Sequence, residues 1–265
     1  MKNLLLLTLG ITFFLVACSE AEQENNSIEA GFNLRPGSMD EGPAASEEAV
    51  EENTEPEHHG HHHHNGPQEA NDMLEQTELN DLISHFESPD RVEWQKPDEI
   101  VEMLGEIENK VVMDLGAGSG YFAFRLQEAG AHVIAAEVDD RLIGYLNHKR
   151  DSLEIPAMEF DVRKVFFDDP LLGREEVDVF FTVDTYHHID RRDEYLQKVL
   201  QGIRPGGKLV IVDFKKGATP HGPPVNIRLH HTHTEAEVAE AGFSNIAVDT
   251  SLLPEQYILI AEKSN

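Results

Sequence analysis

The chain has 265 residues, a formal net charge of -29 at neutral pH and a single cysteine. That length suits one sizeable domain with appendages, because a core of about 150–200 residues already buries most of the surface that its unfolded chain exposes. The charge argues against a nucleic-acid partner, since basic residues occur as pairs and not as a stripe that could follow a phosphate backbone. One cysteine excludes an intrachain disulfide and a thiolate metal site.

Residues 1–18 have the pattern of an export signal. Lys2 precedes an apolar run over residues 4–17, which is shorter than the ~20 residues of a membrane-spanning helix. The end of the run resembles the bacterial lipoprotein signal, in which the cysteine becomes lipidated, and it reads Leu15-Val16-Ala17-Cys18. We therefore expect a signal peptide with lipidation at Cys18 and a body anchored to a membrane on its periplasmic or extracytoplasmic face. If the signal is not used, the protein would be cytoplasmic.

Residues 19–70 are predicted to form a disordered acidic tether. They are rich in polar residues, proline and glycine and lack apolar periodicity, so they cannot build a core. A histidine tract lies within them and consists of His58, His59, His61, His62, His63 and His64. In a flexible chain these imidazoles would bind a divalent metal weakly and unselectively, and a solvated spacer is the alternative.

Residues 71–265 are predicted to form one domain in which strands and helices alternate. Met73–Phe86 and a segment opening at Lys96 are expected to be amphipathic helices. The predicted strands are Val111–Leu115, His132–Glu137, Ala157–Phe160, Val177–Val183, Lys208–Asp213, Asn245–Thr250 and Gln256–Glu262. The helices between or after them are Tyr121–Ala129, Arg141–Arg150, Arg191–Ile203 and Glu235–Ala241. This alternation predicts a parallel sheet covered on both faces, and the last two strands, with no helix between them, should pair antiparallel at the edge.

A glycine-rich turn follows the first predicted strand and reads Asp114-Leu115-Gly116-Ala117-Gly118-Ser119-Gly120. In open α/β sheets, ligands bind at the carboxyl ends of the strands, where glycine lets the backbone approach a ligand. A dinucleotide fingerprint would need glycine where Tyr121 stands, and the Asp114 carboxylate would repel a pyrophosphate. The turn instead suits a ligand that carries an ammonium and a sulfonium group, and a purely packing role is the alternative.

Polar residues follow the next strands. Glu137, at the end of the second, is placed to accept hydrogen bonds from both hydroxyls of a ribose. Asp161, after the third, is placed to meet an adenine amino group, with an ordinary loop acid as the alternative. Asp184, His187 and His188 follow the fourth.

These motifs together resemble a family of bacterial class I methyltransferases that use S-adenosylmethionine (SAM) and whose substrates are mostly unassigned. The resemblance is carried by Arg91–Pro97, the glycine turn, Asp184–Ile189, Arg204–Val210, Val212–Phe214 and Pro254–Tyr257. It implies a Rossmann-like α/β fold, with a mostly parallel seven-stranded sheet, an antiparallel last strand and helices on both faces. It also implies SAM as cofactor, contacted by Asp114, Gly116, Gly118, Gly120, Glu137, Asp161 and Asp184. The lipid signal and the histidine-rich tether are departures from the family.

The sequence thus predicts a SAM-dependent methyltransferase with a small-molecule acceptor. If the acceptor is a hydroxyl or an acidic carbon, His187 or His188 is the candidate general base, and a structural capping role is the alternative for each. The alternative function is an exported, non-catalytic lipoprotein of the same fold that binds metal through its histidines. A second histidine group could bind metal with His187, form an acceptor lid or cap the next helix, and it consists of His221, His230, His231 and His233.

Overall fold

The computed structural model describes residue 71 and residues 76–265. The predicted signal peptide with Cys18, the tether over residues 19–70 and the tract from His58 to His64 lie outside the described residues, and they stay predictions. In the part of the chain that is described, no helix is long and apolar enough to cross a membrane.

Seven strands form one sheet at the centre of the domain. In chain order they are β1 (Val111–Leu115), β2 (His132–Glu137), β3 (Phe160–Lys164), β4 (Val177–Val183), β5 (Ile203–Phe214), β6 (Ser244–Asp249) and β7 (Gln256–Glu262). Their spatial order is β3-β2-β1-β4-β5-β7-β6. Strand β7 pairs antiparallel with β5 and β6, and all other neighbours pair parallel. The predicted Rossmann-like sheet with an antiparallel last strand is therefore confirmed.

Helices accompany the sheet along the described residues. They are α1 (Leu79–Phe86), α2 (Arg91–Gln95), α3 (Pro97–Met103), α4 (Ala123–Glu128), α5 (Asp140–Ser152), α6 (Arg192–Gly202) and α7 (His231–Glu240), with a 3₁₀ turn at Tyr186–His188. Helix α3 begins at Pro97. Proline suits this position because a backbone N–H in the first turn has no acceptor within the helix.

Buried side chains form two clusters, one on each face of the sheet. Successive strand residues alternate between them, as Val112 in one cluster and Met113 in the other show. The central strands are mostly apolar because both of their faces are covered by helices. In such a sheet most polar side chains lie at the ends of the strands, and the site lies there too.

Some element boundaries differ from the predictions. Strand β3 runs over Phe160–Lys164 and not over Ala157–Phe160, because its pairing with β2 begins at Phe160 and continues through two basic residues. It is an edge strand with a partly exposed face, so it carries charged residues. A prediction based on apolar runs therefore did not detect its full length. Helix α7 begins at His231, earlier than predicted, and α2 was not predicted as a helix.

Candidate active site

A cavity of about 990 Å³ opens at the carboxyl ends of the central parallel strands. The ends of β1, β2, β4 and β5 all contribute to its lining, through Leu115, Glu137, Val183 and Phe214. Residues of α1 and α2 line it as well. Ligand sites of proteins commonly have volumes of about 300–1,000 Å³, so this cavity can hold more than one small molecule.

The glycine turn forms one wall of this cavity through Gly116. Gly116 has φ 74°, and a Cβ there would lie 2.2 Å from Oγ1 of Thr185, so the turn packs closely against the segment after β4. Gly118 and Gly120 do not line the cavity. The amide of Gly118 donates to Glu137, and Gly120 makes room for side chains of α4 and α5. The structure thus shows these two glycines supporting the site, and their contact with a cofactor stays a prediction.

Replacing Gly120 by alanine is expected to lower the free energy of unfolding by about 2–4 kcal/mol. Its φ is 82°, and the added Cβ would lie 2.5 Å from the ring of Phe124 and 2.9 Å from Leu146. Gly144, inside α5, is the matched control, because a Cβ there meets nothing within 4 Å. Gly144→Ala should gain about 0.5–1 kcal/mol in urea unfolding. Equal effects of the two changes would contradict this account of the turn.

Two buried acids lie at the floor of the cavity. Asp114 is 3% exposed and Glu137 is 5% exposed, and neither forms an ion pair with a described residue. Burial, and next to it the charge of Glu137, raises the pKa of the Asp114 carboxyl to about 7. Burial also raises the pKa of Glu137, although its carboxylate accepts hydrogen bonds from the amides of Gly118, Val138 and Asp139 at 2.9, 2.7 and 3.1 Å. Both acids are therefore suited to a ligand that brings positive charge and hydroxyl donors.

Asp184 lines the cavity and also joins three elements. One carboxylate oxygen accepts from Nε2 of Gln95 at 2.9 Å, the other accepts from Nε2 of Gln256, and Arg91 lies 4.0 Å away. Burial is the main reason that the pKa of Asp184 rises to about 6. Its backbone has φ 55°, in the left-handed region that non-glycine residues seldom adopt. Asp184 thus holds α2 and β7 against the end of β4.

Asp161 lies outside the cavity, contrary to the prediction that it meets adenine. It is the second residue of β3, and its carboxylate pairs with Arg163 at 2.9 Å. The prediction failed because the strand continues to Lys164, which moves its carboxyl end past Asp161. The cavity-lining residues at that end are Lys164, Val165, Phe166 and Phe167.

His187 lines the cavity and is oriented by Asp213, at the end of β5. The ring Nδ1 lies 2.9 Å from Oδ1 of Asp213, and the backbone amide of His187 donates to Oδ2 at 3.1 Å. His187 is 3% exposed and Asp213 is 1% exposed. Burial opposes a charged ring, but the attraction and hydrogen bond of Asp213 outweigh it and raise the pKa of His187. With Nδ1–H donating to the carboxylate, Nε2 is the nitrogen left to accept a proton.

His188 lies beside His187 with its ring 4.3 Å away, centroid to centroid. Its Nδ1 lies 2.8 Å from Oδ1 of Asn71. Burial and the neighbouring His187 lower the pKa of His188 to about 3. Such a ring is a weak base, so of the two predicted candidates His187 is the better placed to take a proton.

An aromatic wall faces the ends of β4 and β5. The indole of Trp94, on α2, stacks on the ring of His221 with centroids 4.8 Å apart and planes 12° apart, and Phe214 lies 5.7 Å from Trp94. Nδ1 of His221 lies 2.9 Å from Glu255, and Nε2 lies 3.3 Å from Asp90. Both nitrogens face carboxylates, and the hydrogen bond to Glu255 is the largest cause of the raised pKa of the His221 ring.

The sequence reasoning missed this wall. It grouped His221 with three other histidines, and the structure separates them. His230 caps α7 by accepting from the amide of Thr232, and His233 on the first turn pairs with Glu237 at 3.2 Å. Among the four, His221 alone lines the cavity, and the described residues hold no group of three or more His, Cys, Asp or Glu that could bind a metal. The hypothesis that these histidines bind metal with His187 is therefore wrong for the described part.

Trp94 is the only tryptophan in the chain, so its fluorescence is expected to report the protonation of His221. The intensity should change with pH around an apparent pKa above 6.5, the ordinary histidine value, and His221→Gln should abolish the change. Since folding raises this pKa, the link between His221 and its carboxylates should stabilise the fold fully below about pH 6.5 and lose that effect as the pH passes the folded value. His230→Gln is the control, and a titration that persists in His221→Gln would refute the assignment.

Comparison with known proteins agrees with this geometry. The family model described as a methyltransferase domain matches residues 107–251, more than half of the chain. The chain belongs to this methyltransferase family. The matched residues contain the glycine turn, both buried acids and the pair formed by His187 and Asp213.

Similar proteins carry the same domain in other settings. The cypemycin N-terminal methyltransferase of Streptomyces sp is 30% identical over 135 residues, which are 49% of this chain and 51% of that protein. The tRNA U34 carboxymethyltransferase of Cellvibrio japonicus is 27% identical over 128 residues, which are 48% of this chain and 39% of that protein. This methyltransferase spans about half or less of the length of these relatives.

Among solved structures, a SAM-dependent methyltransferase from Aquifex aeolicus superposes with a TM-score of 0.63 at 22% identity. The match covers 71% of this chain and all of that one. This likeness supports the fold described above.

Proposed function

We propose that this protein transfers the methyl group of SAM to a small-molecule acceptor. The observation that carries the proposal is the pair of buried, unpaired acids, Asp114 and Glu137, beneath the glycine turn of a methyltransferase domain. Burial raises the pKa values of both carboxyls, so a charged carboxylate at either position costs free energy unless positive charge lies beside it. A cationic ligand such as SAM supplies that charge, and a dinucleotide with its pyrophosphate does not.

The residues present fit SAM. Asp114 would face the positive charge, and Glu137, whose carboxylate has accepting capacity beyond its three amide donors, would accept from ribose hydroxyls. When bound, SAM supplies an electrophilic methyl group, whose bond to sulfur breaks with the electron pair left on sulfur. Val165, Phe166 and Phe167, after β3, offer apolar contact at the same end of the cavity.

The pair of His187 and Asp213 would assist the acceptor. An acceptor hydroxyl next to His187 would give its proton to Nε2, and Asp213 would stabilise the resulting imidazolium. The left-handed backbone of Asp184 and the 3₁₀ turn after it bring His187 to the cavity wall. Placement of the two reactants in one cavity would supply much of the remaining acceleration.

Two measurements test the proposal. Isothermal titration with SAM and with S-adenosylhomocysteine should give saturable binding of both, and absence of heat together with absence of thermal protection would refute it. In the second, the protein is incubated with methyl-labelled SAM and a cell extract that is then separated into small molecules, RNA and protein. Label in the small-molecule fraction is expected, whereas label only in RNA or protein would refute the acceptor class.

The case for a small acceptor rests on charge. The relatives named above act on tRNA and on a peptide N-terminus, as their names state, but this chain carries a net charge of -29. A chain of that charge repels a phosphate backbone unless basic residues are concentrated at the site. The basic residues that line this cavity are instead held by carboxylates or backbone carbonyls, as Arg91 by Asp184 and Lys164 by Asp140.

We further propose that the protein is lipidated at Cys18 and anchored on the extracytoplasmic side of a membrane. The support is the sequence pattern of residues 1–18. Mass spectrometry of Cys18 tests it directly, since an unmodified cysteine in the protein isolated from membranes would refute lipidation. Zinc dialysis of chains with and without His58–His64 tests the weak metal binding predicted for that tract.

A further inference from the structure

We propose that the acceptor site takes an uncharged aromatic molecule bearing a hydroxyl group, and this inference rests on the proposed function. The site is the half of the cavity that we call the acceptor wall. It is lined by side chains from α2 and the residue before it, the 3₁₀ turn, the end of β5 and residues 221–227, among them Asp90, Trp94, His187, Phe214, His221 and Ile227.

The apolar members of the wall suit a flat ring. Trp94 and Phe214 contribute aromatic rings to the lining, and Trp94 already stacks on one planar ring, that of His221. Pro223 and Ile227 add rigid apolar surface. Aromatic pairs gain about 0.5–1.5 kcal/mol beyond their buried area, so a planar acceptor would bind better than a saturated ring of equal size.

Each charged member of the wall is already satisfied within the protein. Arg91 donates to the carbonyl of Phe86 and to Gln95, lies near Asp184 and covers the ring of Tyr121. The His221 ring lies between the carboxylates of Asp90 and Glu255. An anionic acceptor at Arg91 or His221 would have to displace a carboxylate that already lies there. A cationic acceptor at Asp90 or Asp184 would in the same way have to displace the basic side chain that lies beside it. Neutral acceptors avoid both costs.

Arg228 holds the segment that carries His221 and therefore shapes the wall. Arg228 is 4% exposed, and its guanidinium donates to five neighbours in this segment: the carbonyls of Lys215, Gly217, His221 and Pro223 and the hydroxyl of Thr219. The N–H groups of the guanidinium therefore donate to oxygens of the protein itself. The wall is thus built in advance, and the guanidinium of Arg228 is engaged by oxygens of the protein itself.

We infer the hydroxyl group of the acceptor from the position of His187 at one edge of the wall. A base with its proton-accepting nitrogen next to the reacting group is useful for an O–H acceptor, which must lose a proton as the new bond forms. The ring would therefore pack against Trp94 and Phe214 with its hydroxyl toward His187.

The single tryptophan makes the inference testable without turnover. The protein is saturated with S-adenosylhomocysteine and titrated with four probes of similar size, namely 4-methylphenol, cyclohexanol, phenyl phosphate and benzylamine. We expect a saturable change of Trp94 fluorescence with 4-methylphenol, at a dissociation constant at least about tenfold below those of the other three. Phe214→Leu should weaken the binding of 4-methylphenol, and Phe243→Leu, the same change at a buried ring outside the cavity, should not. Thermal melting of both variants shows whether they remain folded.

Each outcome decides a separate claim. Preference for phenyl phosphate or benzylamine, equal binding of cyclohexanol, or no saturable response to 4-methylphenol would overturn the inference. If 4-methylphenol binds as expected but no label leaves SAM in the extract assay, methyl transfer fails and the aromatic site stands. If label reaches a charged small molecule, methyl transfer stands and the aromatic site fails.

Discussion

Replacing Asp114 by asparagine is expected to stabilise the ligand-free protein at pH 8 while weakening its affinity for SAM by at least about tenfold. Asparagine keeps the shape of the side chain and removes the buried charge. The gain in unfolding free energy at pH 8 should be of the order of 2–4 kcal/mol, since each unit of pKa shift corresponds to about 1.4 kcal/mol.

The pH dependence of this gain follows from the sign of the shift. The folded protein raises the pKa of Asp114 from 3.8 to about 7, so it binds the proton more tightly than the unfolded chain does. Stability of the wild type therefore falls as the pH rises from about 4 to above 7, and the Asp114→Asn variant should show a flatter profile. Urea unfolding at pH 5 and pH 8 measures the difference, which should be larger at pH 8.

Asp161→Asn is the control for this experiment. Asp161 was also predicted to contact SAM, but the structure places it on β3 with Arg163 as its partner. Its replacement should leave the affinity for SAM unchanged within about twofold, because Asp161 lies outside the cavity. The fold should also be little affected, because the pairing of Asp161 with Arg163 is partly exposed and contributes little to stability. A loss of affinity in Asp161→Asn equal to that in Asp114→Asn would contradict the site described above.

Replacing His187 by glutamine is expected to lower methyl transfer by roughly 10²–10⁴-fold without changing the affinity for SAM. Asp213→Asn should also lower the rate, because an asparagine cannot stabilise the protonated ring. Rates are measured as label from SAM entering the small-molecule fraction, and SAM affinity is measured by calorimetry. A variant that loses both rate and SAM affinity would point to a structural role for the pair.

The pH profile of the methyl-transfer rate distinguishes a base at His187 from a side chain that only packs in the site. Neutral His187 is the active form, so the rate should rise with pH through a pKa above the ordinary histidine value. Asp213→Asn removes the attraction that raises this pKa, and the rising limb should move to lower pH even as the rate falls. His188→Gln should keep the limb in place, since the low pKa of His188 leaves it uncharged in this range. An unshifted limb in Asp213→Asn would contradict the assignment of His187 as the base.

The sequence by itself determined the architecture and the cofactor end of the site. Strands β1, β2, β4 and β7 have the predicted boundaries, because strands buried on both faces are mostly apolar and stand out in the sequence. Asp114, Gly116 and Glu137 were predicted to lie together because parallel strands bring their carboxyl ends to one edge of the sheet. Each of these inferences depends on residues within one short segment and on the rule that relates neighbouring strands.

Only the tertiary structure decided which polar groups meet across the cavity. The partners of His187 and His221 lie 26 and 34 residues away along the chain, and no local pattern relates such positions. The end of β3 was misplaced because an edge strand can carry charged residues, and this moved Asp161 out of the site. Trp94 belongs to a short helix whose position depends on the bonds from Gln95 and Gln256 to Asp184. Side-chain hydrogen bonds between distant segments therefore build the acceptor end of the site, whereas backbone pairing and apolar periodicity build the cofactor end.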